Sequence, residues 1–349
     1  MAGDRAPGPR RGHAVNPVER IVRRVDAWQQ RHRVPAFGFA VFRKFGDDQA
    51  GNQVALLTYF AFLATFPLLL ALVGILGIVL KNDPSLQQRI VSSSFGQFPI
   101  IGTQLHSQLG TGTLPRSGIA LIIGLVGAVF GGRGLASAVQ NALNTLWNVP
   151  KIDRPGFPSG YLRTFGLLGL LGVGAVLTAV ASTIAGVGRF LGLSGVPIHI
   201  AGLLISTVIN AGLFLAAFRL ATAKTVPTRD LRLSAVLSAI AWQILLAFAG
   251  LIIKHYLSHA TAVAGTFGIV LGLLAWFGLQ ATITICLIEA DVVRARRIWP
   301  RSITQPPLTD ADKQFLHAAT DTETRRPEQH VDVNFTPDAD RGPLRDPDI

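Results

Sequence analysis

Acidic residues are what this chain most lacks between its ends. Of its 20 Asp and Glu residues, five precede residue 54 and twelve lie from Glu289 onward. The stretch from 54 to 288 holds only Asp83, Asp153 and Asp230. A stretch so poor in charge cannot cover itself with a solvated surface, so its exterior must face something apolar. Across all 349 residues only 15% are charged, against roughly a quarter in soluble proteins, while 49% are hydrophobic. Cysteine is nearly absent as well: Cys286 stands alone, which excludes an intrachain disulfide and any multi-cysteine zinc or iron–sulfur site. There is no GxxxxGK[ST] motif and no HExxH motif, so nucleotide-driven transport by this chain and zinc-peptidase chemistry have no residues to stand on. The first 50 residues contain no continuous apolar core, and no secretory signal is expected.

What is present follows a membrane pattern. Six apolar runs, at about 54–80, 117–139, 164–187, 198–218, 233–253 and 264–288, are each long enough to cross a hydrocarbon core that needs about 20 helical residues. The expected fold class is therefore all-α: a polytopic membrane protein with six transmembrane helices in residues 54–288. The net charge of +12 could mark a nucleic-acid binder, but its distribution favours positively charged loops on one side of a membrane. Lys and Arg number ten in the N-terminal stretch, three in the 140–163 loop, four in the 219–232 loop and nine in the C-terminal tail. The opposite loops, 81–116, 188–197 and 254–263, hold three, one and one. Both termini are expected on the cytoplasmic side of a bacterial inner membrane, with no nucleic-acid partner.

The flanks read as follows. Residues 1–16 are Pro-, Gly- and Arg-rich and expected to be disordered. Residues 17–53 are expected to form basic interfacial helices. Ile21, Val25 and Trp28 share one face of the first, and Phe37, Val41 and Phe45 recur beside Arg43 and Lys44 in the second. A short amphipathic helix carrying Leu86, Ile90 and Val91 is expected after Asp83 in the 81–116 loop. Residues 289–301 form a juxtamembrane basic segment with Arg294, Arg296, Arg297 and Arg301. Residues 302–349 carry ten acids against five bases and are expected to be a disordered acidic tail.

Polar residues inside apolar spans are costly, and they tend to face a bundle interior or a water-filled cavity. Arg133, Asn210, Gln243 and Gln280 lie within spans, Asn141 and Asn144 continue the second span, and Glu289 closes the sixth. They are the candidate contacts of a polar cavity opening towards the cytoplasm. Arg133 could instead snorkel to the boundary or pair structurally, with Glu289 as a partner at the same depth. Pro67 interrupts the first span and predicts a kink, freeing the Leu63 carbonyl for Thr65 or a neighbouring helix to satisfy. Gly127-x-x-x-Gly131 and Gly268-x-x-x-Gly272 permit close helix approach, most simply within the chain, and Gly166, Gly169 and Gly172 make a third glycine face. His255 and His259 form the only close histidine pair; without a third ligand nearby, no metal site is expected. No catalytic residue and no cofactor are expected.

GNQVALLTYFAFLATFPLLLAL (51–72) resembles the first-span signature of the YihY/BrkB family of bacterial inner-membrane proteins. GDDQAGNQ (46–53) is most similar to its YhjD-like branch. AVQNALNTLW (138–147), GTFG (265–268), Trp276 and Glu289 agree with the same family. Glu289 matches only the acid of the family's Gly-Ala-Glu motif, and FRLATAKTVP (218–227) departs from its Tyr…Leu-Pro pattern. The resemblance covers about residues 20–298. It implies an envelope-integrity protein involved in export of lipid or lipopolysaccharide. A carrier or facilitator for lipids or lipid-linked substrates is thus the first expectation, with an anionic lipid of the cytoplasmic leaflet as partner. A non-transporting scaffold that gathers envelope proteins is the alternative. The group's old label, ribonuclease BN, is a remote third. A metal-dependent nuclease needs clustered His and carboxylate ligands, which the region from 54 to 288 does not supply.

Overall fold

The structure is a computed structural model that describes residues 17–79, 118–156, 158–190, 196–257 and 265–336. Among these residues it is all-helical, with no strand. Two short helices, α1 (Pro17–Arg31) and α2 (Arg33–Asp47), lead into α3 (Ala50–Val79), and α4 (Gly118–Leu146) follows. Then come α5 (Ser159–Phe190), α6 (Val196–Ala221), α7 (Arg232–Leu257), α8 (Gly265–Arg296) and a terminal helix, α9 (Asp310–Asp321). Four stretches, Ala50–Ala71, Ile200–Ala221, Thr228–Ala249 and Val270–Arg296, are long and apolar enough to cross a membrane among the described residues. The tail 1–16, the 81–116 loop with its expected helix, His259 and the tail from 337 onward lie outside the described residues.

The helices outrun the apolar runs. α4 continues seven residues past 139 and α8 eight past 288, because Asn, Thr and Arg carry on a helix whose hydropathy has already fallen. α3 packs on α4 more extensively than any other pair, and glycine makes this possible. A Cβ on Gly124 would lie 2.7 Å from the Ala71 nitrogen, one on Gly127 3.0 Å from Pro67 Cβ, and one on Gly131 3.1 Å from Ala64 Cα. The two backbones therefore meet along Ala64, Pro67 and Ala71. α3 runs unbroken through Pro67. Thr65 does not satisfy the carbonyl that proline frees; its hydroxyl donates to Ala61 O at 2.6 Å. The Leu63 oxygen instead faces α4, 3.6 Å from where a Gly131 Cβ would stand.

Large apolar side chains are exposed along the long helices, among them Phe66, Phe130, Phe165, Leu203, Val208, Phe248 and Leu271. The principal core lies at one end of the bundle. There Leu143, Leu146, Trp147 and Val149 meet Phe218, Val226, Leu231, Ile285, Ile288 and Val292. Each such side chain contributes about 1.5–3 kcal/mol on burial.

The reading of 302–349 as a disordered tail requires correction over residues 302–336. Thr309 caps α9: its hydroxyl accepts from the Asp312 amide at 3.1 Å, and the Asp312 carboxylate accepts from the Thr309 amide. Ala311, Asp312 and Phe315 are buried. Net acidity marks disorder only when too few apolar side chains are available for burial. Here Arg301 neutralises Asp312 at 2.9 Å and lies over the Phe315 ring. α2 is likewise more than a surface helix: Ala36, Ala40 and Lys44 on one of its faces are buried where it packs against α8.

Candidate functional site

The ends of α2 and α4 meet α8 within this core. α2 ends at Asp47, and Gln49 turns the chain into α3 with a φ of 50°. α4 ends at Leu146, after which Asn148 adopts a φ of 48°, a conformation that asparagine tolerates better than most residues. α8 brings Glu289 down to the same level. Lys44 on α2 sits between them. Its ammonium has three protons to place: it donates to the Leu146 carbonyl at 2.7 Å, donates to Asp48 Oδ2, and lies 2.8 Å from Glu289 Oε2. The Lys44 and Glu289 side chains are 0% exposed and that of Asp48 is 4% exposed. Burial pushes the Asp48 carboxyl above the ordinary Asp range, against the opposing pull of Lys44. Neither Glu289 oxygen receives an aligned hydrogen bond among the described residues. A buried cation facing two buried carboxylates is expensive unless fully paired.

The predicted polar residues do not converge on one cavity. Arg133 is exposed on the outer face of α4; it donates to Tyr161 Oη at 2.8 Å and stacks over that ring at 4.9 Å. Its partner is therefore on α5, not Glu289, because the long side chain reaches towards the helix end as a snorkelling arginine does. Asn141 is exposed, accepts from Arg154 at 3.2 Å and reaches Gln53 at 3.4 Å. Asn144 is a buried clamp: it donates to Gln140 O at 2.6 Å and to Ala221 O at 3.1 Å, and accepts from the Ala223 amide at 2.8 Å. In this way it satisfies orphan groups at the α6 terminus. Asn210 and Gln243 do meet, through Ser206: Gln243 donates to its hydroxyl at 2.5 Å and Asn210 lies 3.4 Å from it. Gln280 is half-buried on α8. Among the described residues no group of three or more His, Cys, Asp or Glu side chains is placed to hold a metal ion.

Sequence reasoning missed Lys44, Asp48 and Ser206. Lys44 was readable only as one base among many, since its partner Glu289 is 245 positions away in the chain. The neighbouring terminal segment was missed too. Asp26 on α1 accepts from Ser302 Oγ at 2.9 Å, Ile303 N at 3.1 Å and Thr304 N at 3.2 Å. Gln29 donates to Arg301 O at 2.7 Å, Arg301 donates to Asp47 at 2.8 Å, and Arg43 donates to Ser302 O. The Thr309-x-x-Asp312 spacing is a capping-box signal that could have found α9.

Fold and site together define a helical membrane protein whose spans are gathered at one end by a buried lysine and two carboxylates. Residues 41–309 match the family Virulence factor BrkB, and the chain belongs to that family. It is similar to the Inner membrane protein YhjD of Escherichia coli (strain K12), with 27% identity over 274 residues, covering 73% of this chain and 80% of that one. It is also similar to an uncharacterized protein of Dickeya dadantii (strain 3937), with 28% identity over 283 residues, covering 75% and 84%. No solved structure matches.

Proposed function

We propose that this protein is a multi-pass inner-membrane carrier or facilitator for lipids or lipid-linked substrates, with both termini cytoplasmic. α4 and α5, 29 and 32 residues long, join the four apolar stretches to make six crossings. The E. coli relative's name supports the inner membrane, and the excess of Lys and Arg on the loops beside the charged end supports the orientation. One observation carries the lipid reading. The Arg133 guanidinium is exposed beside Phe130, Leu162 and Phe165, which are also exposed. A cation on an apolar outer face can hold an anionic headgroup while the surrounding side chains take acyl chains. No catalytic step is part of this reading.

Lipid translocation in proteoliposomes tests it. Purified protein is reconstituted with tail-labelled anionic lipid, and outer-leaflet label is quenched chemically. Wild-type protein should speed loss of protected label over empty vesicles, and Arg133→Ala should slow it while leaving the protein monodisperse. Equal rates in wild-type, mutant and empty vesicles would overturn the lipid reading.

A scaffold that gathers envelope proteins is the second reading. It is favoured by α1, where Val18, Ile21, Val25 and Trp28 are exposed at helical spacing on one face. Replacing Ile21 and Val25 with Ser should then empty a cross-linked pull-down of its partners. An unchanged partner profile would remove that version.

A further inference from the structure

We propose that Asp48 and Glu289 hold a single proton between them, so that Lys44, Asp48 and Glu289 form a neutral proton-binding site at the junction of α2, α4 and α8. This does not depend on which cargo, if any, the protein carries.

The charge count carries the inference. Three ionisable side chains share one nearly dry space. One ammonium against two ionised carboxylates leaves an uncompensated buried negative charge, the least tolerable state of such a cluster. Two carboxylates in one site cannot both stay ionised at ordinary cost, and one of them takes up a proton. The geometry is arranged for sharing it. Both carboxyls reach the same ammonium: Glu289 Oε2 lies 2.8 Å from Lys44 Nζ, and Asp48 accepts from that nitrogen through Oδ2, so the two acids share one site around a single cation. The two Glu289 oxygens are fully buried and receive no aligned donor among the described residues, as expected of a carboxyl that carries a proton of its own. The third ammonium contact goes to the Leu146 carbonyl, a neutral group that adds no countercharge.

No neighbour removes the imbalance. From α2, Asp47 is engaged by Arg301 at 2.8 Å, with Arg43 at 3.9 Å. From α8, Cys286 lies one turn before Glu289 and adds no cation, while Asp291 is turned to the Ser234 amide and Arg294. From the link before α7, Asp230 pairs with Arg229. α3 contains no acidic or basic residue, and Arg133, the one charge on α4, is bound to Tyr161. Asn148, which follows α4, carries no charge.

Infrared spectroscopy of the full chain in lipid vesicles reads this proton directly, through the carbonyl stretch of a protonated buried carboxyl. At pH 7 the wild type should show one such band. Glu289→Gln and Asp48→Asn should each abolish it, because the remaining carboxylate then balances Lys44. Lys44→Gln should raise it about twofold, since two carboxyls then need protons. A merely structural ion pair would give no band in the wild type. Absence of a protonated-carboxyl band in wild-type protein at neutral pH overturns the proposal without recourse to any variant. A band unchanged in well-folded Glu289→Gln and Asp48→Asn assigns it to other groups and overturns it equally.

Discussion

The two best-packed regions of this protein are held together by opposite means. Along their apolar lengths, α3 and α4 join through what their side chains leave out: Gly124, Gly127 and Gly131 let backbones touch at Ala71, Pro67 and Ala64. At the charged end, helices join through what their side chains add: Lys44 to Glu289, Asn144 to the α6 terminus, Asp26 and Arg301 to the C-terminal segment. In lipid there is no hydrophobic gain from bringing two apolar helices together, so close van der Waals approach decides. At the water-facing end, polar groups drawn into the fold must be paired one by one. The family match from 41 to 309 spans the glycine seam and the Lys44 cluster, whereas α1 and α9, which hold the terminal segment, lie outside it.

The largest effect should come from breaking the second mode. Arg301→Ala removes a buried guanidinium and leaves Asp312, fully buried, and Asp47 without the cation that pairs with both. Removing one partner of a buried pair costs about 3–5 kcal/mol, enough to release residues 302–336. Hydrogen exchange should show α9 losing protection while α3 and α4 keep theirs. Equal loss in both regions would mean that the C-terminal segment and the spans form one cooperative unit.

Acid should reach the same endpoint reversibly. Burial pushes the Asp26 and Asp312 carboxyls up, yet hydrogen bonds to their ionised forms outweigh it: from Ile303, Gln30, Thr304 and Ser302 on Asp26, and from Ser302, Thr309 and Arg301 on Asp312. Both therefore lie below the ordinary Asp range. A carboxylate depressed in the folded state stabilises it above its unfolded pKa, and that stabilisation is lost as pH falls through the folded value. Docking of the C-terminal segment should be constant at neutral pH and weaken below about pH 4. Limited proteolysis between residues 322 and 336 across an acid titration measures it. Cleavage that already rises between pH 7 and pH 5 would point to another titrating group.

How far each region was legible in the sequence follows the same division. Apolar runs locate the long helices because lipid exposure makes hydropathy a local property, and the Gly127–Gly131 spacing already names the seam. The charged end is written in pairs: Lys44 with Glu289, Asp26 with Ser302 to Thr304, Asn144 with Ala221 and Ala223. Nothing local distinguishes Lys44 from the bases around it or Arg133 from a cavity residue, since the difference lies in what the fold brings opposite them. Composition misled over 302–336, where acid content outweighed the Phe315 and Thr309 signals.

The smallest effects test the first mode. A methyl group at Gly124 would stand 2.7 Å from the Ala71 nitrogen and 2.9 Å from the Leu70 carbonyl carbon, both backbone atoms that cannot swing aside. Gly124→Ala must therefore part α3 from α4, at about 1–3 kcal/mol for overpacking. At Gly169 on α5 the same methyl meets nothing within 4 Å among the described residues. There the change only trades glycine for a better helix former, a gain of at most about 1 kcal/mol. Thermal unfolding in detergent should thus separate the two variants in sign, with Gly124→Ala lowered and Gly169→Ala unchanged or raised. If Gly169→Ala in lipid vesicles proves as damaging as Gly124→Ala, the α5 glycine face is covered in the membrane by a second copy or another helix, and the seam between α3 and α4 is one of two.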